Sequence, residues 1–378
     1  MFRPPFCPDP SCLYHYLPPA HRQWYYHRGS YPTAAFGPVL RFRCRRCGKD
    51  FSRQTFRLDY YVKRPLDYQK IKDRLIGGSG LRAIGRSCAI SHHSITNRIG
   101  RLARQALAMN ASLLGDPDFH PCENLAADGF ESFVADQWQP NNIHLLVGSQ
   151  SQCLYRFDYA HLRRKGRMTE RQKRERARRE QSYVRTRVSI GESFSRIVTA
   201  VEDLFGRSTS CQMQLYTDCK SEYLEPIQSS PVLSKLTAAG LFCHRQISSR
   251  LPRTVHNPLF PVNYLDRELR LRSADQVRET LQFSRSVNTC LERLAVCQLQ
   301  HNFIKPYRVD DREGKWLRHA EVAGIARQRI ERWLGWLFDW RAFYSLVNLS
   351  SSEELAWRRA VGNVDRFDGG YRPAYVMM

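Results

Sequence analysis

The sequence predicts a multidomain α/β chain: a small cysteine-rich module, a helical pair, a larger mixed-sheet domain and a short helical tail. Three observations carry this. Two cysteine pairs bracket an aromatic and basic segment at the start, and helical spacing of apolar residues fills 66–108. From residue 120 onward, short apolar strands associated with single acids alternate with helical stretches. The 378 residues suffice for two or three domains with at least one sizeable core. With 42% hydrophobic and 12% aromatic residues the composition is that of a globular protein, not a disordered one.

The net charge of +23, from 59 Lys+Arg against 36 Asp+Glu, calls for a polyanionic partner, because each neutralised phosphate releases condensed counterions. Nucleic acid is the first such partner and an anionic membrane surface the second. No stretch approaches the run of about 18 apolar residues that a spanning helix needs, and MFRPPFCPDP lacks the apolar segment of a signal peptide. The expectation is a soluble cytoplasmic chain with no membrane partner. In a reducing compartment its 12 cysteines are expected to be thiols or metal ligands rather than disulfides. The chain has no Walker loop, no GxGxxG and no internal repeat.

Residues 1–58 form the first module. Cys7 and Cys12 are followed, after a long intervening segment, by Cys44 and Cys47, with Gly48 placed for a tight knuckle. WYYHRGSY and VLRFRC read as strands around the turn-like PTAAFGP. This pattern resembles a zinc ribbon with four thiolate ligands. The alternative, ordinary buried cysteines, would leave a very small segment to build a core without a metal staple.

Residues 59–115 contain two apolar runs with helical spacing, Leu81/Ile84/Cys88 and Ile95/Ile99/Leu102, joined by the short AISHH. Ser91 or Ser94 can cap the second helix. A helix-turn-helix is expected, with Ser94–Arg104 as recognition helix and His93, Thr96, Asn97, Arg98 and Arg101 on its outer face toward base edges and phosphates. A small helical pair with a solvated basic face is the plainer reading.

Residues 120–310 read as strand with acid (Asp128 in NLAADGFESFV), a hairpin around Gly148-Ser149, a helix, then a strand Met213–Thr217 ending in Asp218. Another strand (LFCHRQISSR) and a long helix bearing Asp266 and Glu268 follow. This is the order of an RNase H-like mixed sheet, in which carboxylates meet at one sheet edge. Phosphodiester displacement by two divalent ions about 3.5–4 Å apart needs such oxygen ligands. Taken singly, Asp128 is equally a turn residue or an arginine partner, and Asp218 a helix N-cap.

The segments FRPPFCPDPSC, RFRCRRCGKDFSRQTF, the helical pair and NYLDRELRLRSADQVRETLQFSRSVNTCLERLAVCQLQHNFIKP together resemble bacterial insertion-sequence transposases of the zinc-ribbon, helix-turn-helix, DDE type, close to the short insertion-element group. The resemblance spans about residues 1–308, and the last segment is its most specific part. It implies that Asp128, Asp218 and an acid near 266 bind Mg2+ (or Mn2+), and that water nicks transposon ends before the freed 3′-hydroxyl attacks target DNA. It also implies double-stranded DNA as partner, a homodimer or larger assembly, and a bacterial, nucleoid-associated location.

In the family segment a Glu commonly precedes an Asn by three residues. Here Asn263 falls at the Glu position and Asp266 at the Asn position, an exchange along one helix face. Glu268 points about 200° away from Asp266 and is placed to pair with Arg272 instead. The helix is expected to start near Val262 or Asn263 and to pack through Leu265, Leu269 and Leu271. Two rival functions remain open: a non-catalytic DNA-binding regulator using the first two modules, and a structure-specific nuclease on the same fold.

Three further segments complete the reading. Residues 161–181 form a basic, helical insert suited to clamping phosphates or simply to being solvated. His244 and His256 fall near the acids, in positions more usual for structural histidines. The tail, 311–378, carries RWLGWLFDWRAFY at helical spacing, expected as a core or dimer face.

Overall fold

A computed structural model describes residues 2–20, 23–60, 62–181, 188–207, 211–277, 280–308 and 316–361. The cysteine-rich segment folds as a three-stranded antiparallel sheet in the order β1 (Tyr25–Thr33), β2 (Gly37–Cys44), β3 (Asp50–Ser52). The PTAAFGP turn lies where expected, and Gly37 enters β2 with φ +61°, a backbone state that favours glycine. The module's apolar core is small and aromatic: Trp24, Phe42, Phe51 and Phe56 pack with Cys7, Cys12 and Cys44.

Three helices follow: α1 (Tyr68–Ile76), α2 (Leu81–Ser87) and α3 (His92–Leu114). Ser91 caps α3 by accepting from the Ser94 backbone N–H. The expected recognition helix is only the first half of α3. The run ARQALAMNASLL continues without a breaker to Gly115, and from Arg98 onward nearly every residue of the helix is buried.

The larger sheet has five strands, β4 (Leu125–Phe133), β5 (Pro140–Gly148), β6 (Leu154–His161), β7 (Met213–Thr217) and β8 (Phe242–Gln246). Their order is β6-β5-β4-β7-β8. β4 is central, antiparallel to β5 and parallel to β7, which in turn runs parallel to β8. β5 and β6 are buried almost throughout, polar residues such as His144 and Asp158 included, because both faces are covered.

The basic insert forms α4 (Glu170–Gln181), part of whose charge is paired within the helix: Glu175 accepts from Arg178 at 2.8 Å and Arg179 at 2.8 Å. Helix α5 (Ile190–Phe205), held by a Ser189/Glu192 capping box, buries Phe194, Ile197, Val201 and Leu204 against the sheet. Helix α6 (Phe260–Arg272) begins two residues earlier than Val262, because Pro261 starts its first turn. Helix α7 (Val287–Phe303) packs along α3, and both are buried nearly all round.

The C-terminal aromatic run packs as core, as expected, but not as one helix. Helix α8 (Arg327–Leu334) ends at Gly335, so RAFY lies outside it, and a short helix α9 (Ser351–Trp357) follows. The chain between them returns to the first module: Arg341 N–H donates to Phe56 O at 2.9 Å, Trp340 stacks on Phe2, and Phe343 joins the cysteine-rich core. Arg104 of α3 donates to Trp357 O from Nε at 3.1 Å and from Nη2 at 2.9 Å. The segment is thus a tie between the cysteine-rich sheet and α3 rather than an appendage. Residues 311–315 and 362–378 of the expected tail lie outside the described residues.

A second correction concerns the cysteines. Cys122 and Cys211 form a disulfide, with Cα atoms 6.1 Å apart. The parallel pairing Leu125↔Leu215 brings together the segments just ahead of β4 and β7, and with them two cysteines that lie far apart in sequence. Among the described residues no helix is long and apolar enough to cross a membrane.

Candidate functional site

Two donor clusters emerge. In the first, the sulfurs of Cys7, Cys12, Cys44 and Cys47 all lie within 4.8 Å of one another. Cys7 Sγ is 3.6 Å from Cys47 Sγ, and Cys12 Sγ is 3.9 Å from Cys44 Sγ. A tetrahedron with Zn–S bonds of about 2.3 Å has edges of about 3.8 Å, so the four sulfurs fit a zinc ion. Gly48, at φ +74°, turns the knuckle that returns Cys47 toward Cys44, and its N–H donates to Cys44 O at 3.1 Å. Burial pushes the Cys7 and Cys12 thiols up, a cost that a bound cation would offset.

The second cluster lines a cleft of about 540 Å³ between the inner strands β4 and β7 and helix α6. Asp128 comes from the middle of β4, Asp218 from the residue after β7, and Asn263 and Asp266 from one face of α6. Adjacent parallel strands set the first two: Ala127 pairs with Thr217, so the following residues stand side by side. Helix α6 is seated by Val262, Leu265 and Leu269, all buried. Leu271, expected on the packing side, is 70% exposed instead. Arg270 fixes the helix to β4, with its guanidinium over the Phe130 ring at 4.5 Å and a bond to Glu131 O at 3.1 Å.

The cleft holds buried carboxylates whose charge Lys220, Arg253 and Arg270 offset only in part. Burial, then the neighbouring Asp218, pushes the Asp128 carboxyl up. Burial, then Asp128, pushes Asp266 up to about 7. Asp266 Oδ1 is buried and has no hydrogen-bond partner. Asp218 Oδ1 accepts from the Lys220 backbone N–H at 3.1 Å, which folds the Lys220 side chain back over the acids. Its ammonium stands 3.8 Å from Asp128 Oδ1 and 3.7 Å from Asp218 Oδ2. Asn263 Oδ1 accepts from Arg253 at 3.3 Å.

The three carboxylates do not draw within 4.8 Å of one another; among the described residues only the four cysteines do so. Hard oxygen donors around an orphaned, buried carboxylate oxygen nevertheless suit Mg2+ or Mn2+. Glu268 is excluded from the cleft. It accepts from Lys305 at 2.7 Å and from Arg272 at 2.9 Å on another side of α6, and this hold keeps its carboxyl below the usual range despite burial.

The DNA-reading candidates divide. His93 is exposed and Thr96 and Asn97 are half-buried, with the Thr96 hydroxyl turned to His92 O. Arg98 and Arg101 are not on an outer face. Both are buried, Arg98 donating to Arg64 O at 3.0 Å and Arg101 to Leu58 O at 2.6 Å, beside the buried carboxyl of Asp59. His244 bonds to the Thr217 hydroxyl at 2.8 Å and is pushed down by burial, while His256 is exposed.

The sequence places Arg270 on the helix face of Asn263 and Asp266 but does not single out Lys220 or Arg253. The only signal for Lys220 was its place two residues after Asp218. Compared with known proteins, the chain matches no protein-family model and no curated protein.

Proposed function

We propose that this chain is a metal-dependent DNA transposase: it binds insertion-sequence ends, cleaves a strand there and transfers the new end to target DNA. The observation that carries the reading is the meeting of Asp128, Asp218 and Asp266, from two adjacent strands and a helix, in one cleft. The strand order, with β4 central between an antiparallel pair and a parallel pair, supports an RNase H-like assignment for this unit. The cysteine-bearing sheet is then a zinc ribbon, and α2 with the start of α3 a helix-turn-helix directed at double-stranded DNA.

In this reading Asp128, Asp218 and Asp266 hold the divalent ions, which when bound activate the attacking oxygen and neutralise charge on the leaving one. Asn263 offers an amide beside them. Arg253, exposed at the cleft rim, is placed to receive a phosphate, and Arg270 keeps α6 at the distance from β4 that the site needs. By the same resemblance the working form is a homodimer or larger assembly joining two DNA ends.

One observation favours the regulator reading: an ammonium group stands between two of the three acids. Nicking of supercoiled plasmid decides. Conversion to open circles that requires Mg2+ or Mn2+ and disappears in Asp128→Asn supports the enzyme. DNA binding with no nicking under any divalent ion supports the regulator.

A further inference from the structure

Lys220 sits at the centre of the acid cleft, yet nothing in the chemistry proposed above uses it. Its ammonium is 3.8 Å from Asp128 and 3.7 Å from Asp218, longer than the roughly 2.7–2.9 Å of a charge-assisted hydrogen bond. The contact is therefore a loose ion pair, not a locked one. In the same position Nζ also lies 3.4 Å from the Tyr223 hydroxyl and 5.4 Å from the Tyr223 ring centroid, so the ammonium is shared among three neighbours. Tyr223 is itself fully buried and stacked on Phe194.

The neighbourhood explains why a cation is needed there. Asp128, Asp218 and Asp266 line one cleft, and burial followed by the neighbouring carboxylate opposes ionisation of Asp128 and of Asp266. Lys220, on a flexible stem, offsets part of this together with Arg253 and Arg270, while Asp266 Oδ1 keeps no partner. A divalent ion between the same two carboxylates carries twice the charge and takes oxygen ligands at about 2.0–2.1 Å, a separation the ammonium does not reach.

We infer that Lys220 is a tethered counter-cation that occupies the metal position between Asp128 and Asp218, and that divalent-metal loading proceeds by exchange with it. This rests on the reading of the cleft as a metal site. The exchange makes and breaks no covalent bond: the ammonium leaves the two carboxylates and the ion takes its place. Loading is then weaker than the carboxylates alone would give, because each ion bound must displace a positive charge and remain near it.

The test is Mn2+ binding to the full-length protein, read by loss of the free-ion electron paramagnetic resonance signal. Lys220→Met keeps the length and apolar stem and removes the charge; it is expected to bind Mn2+ at least tenfold more tightly than the wild type. Lys220→Arg, which keeps a cation, is expected to stay within about threefold of the wild type. An unchanged or weakened affinity in Lys220→Met, in protein that retains the wild-type circular dichroism spectrum, overturns the exchange. Should Lys220→Met fail that spectroscopic check, Lys220→Gln is measured in its place on the same criterion. Asp218→Asn separates the two claims: if it binds Mn2+ as tightly as the wild type, or if wild type and Lys220→Met both fail to bind, the metal-site reading falls and the exchange with it.

Discussion

Asp266 and Glu268 lie two residues apart on α6 and meet opposite surroundings. Asp266 Oδ1 is buried in the acid cleft with no partner, whereas Glu268 is held between Lys305 and Arg272 at 2.7 and 2.9 Å. A rotation of about 200° between them puts only one on the metal side. Asp266→Asn is therefore expected to abolish Mg2+-dependent nicking while leaving DNA binding intact, since binding rests mainly on phosphate contacts made elsewhere. Glu268→Gln is expected to keep nicking and to cost about 1 kcal/mol of stability after solvent screening. Loss of cleavage in Glu268→Gln with activity retained in Asp266→Asn would reverse the assignment.

The Asp266 carboxyl also gives a pH dependence whose sign is the opposite of the usual salt-bridged acid. It is pushed up to about 7 by burial and by Asp128, against roughly 3.9 in an unfolded chain. Between those values the folded protein holds a proton that the unfolded chain releases. Its contribution to stability is thus full below about pH 4, falls as pH rises toward 7, and levels off above. Thermal melts without added divalent ions should show this decline, and Asp266→Asn should flatten it. Equal slopes for the two proteins would mean that Asp266 is ionised throughout.

Arg101 is a structural residue in this fold. Its guanidinium donates to Leu58 O at 2.6 Å and neighbours the buried Asp59, tying the start of the helical unit to the end of the cysteine-rich one. Arg101→Ala leaves that carbonyl and that carboxyl short of partners and should cost roughly 2–4 kcal/mol. His93→Ala, at an exposed position, should leave the melting temperature unchanged and, where α3 contacts DNA, weaken binding to element ends. A melting temperature that Arg101→Ala does not lower would return this arginine to the surface.

The cysteine cluster predicts about one zinc per chain, lost in the double substitution Cys44→Ser/Cys47→Ser. The aromatic core around Trp24 and Phe42 is small, so that variant should also lose the cooperative melting of the N-terminal sheet. Metal analysis showing full zinc in the double variant would move the ligands elsewhere.

What was legible in the sequence was local. Met213–Thr217 reads as a strand because alternating apolar residues end at a charged turn, and the structure gives the same bounds. The Glu268–Arg272 pair follows from spacing alone. What was not legible depends on partners far along the chain. The basic face assigned to Arg98 and Arg101 vanishes because carbonyls of Arg64 and Leu58 come to meet it. RWLGWLFDWRAFY has helical spacing, yet the helix stops at Leu334, with Gly335 after it, and Trp340 and Phe343 pack on the first module instead. Lys220 beside Asp218 gains meaning only when β4 brings in Asp128.

The disulfide yields the last prediction. Cys122 and Cys211 are 89 residues apart in sequence and precede β4 and β7, the strands associated with Asp128 and Asp218. Closing so long a loop restricts the unfolded chain, a constraint worth about 2–4 kcal/mol. Cys122 is exposed, so a thiol reductant can reach the bond. The oxidised protein should therefore melt several degrees above the reduced one, and Cys122→Ser should melt like the reduced protein whether or not reductant is present. The acids themselves are aligned by the sheet, through the Ala127↔Thr217 pairing, and not by the bond. Divalent-metal binding below the melting range should accordingly be the same in oxidised protein and in Cys122→Ser. A melting temperature indifferent to reductant would show that the bond constrains nothing, and a loss of metal binding on reduction would show that it, rather than the strand pairing, sets the distance between Asp128 and Asp218.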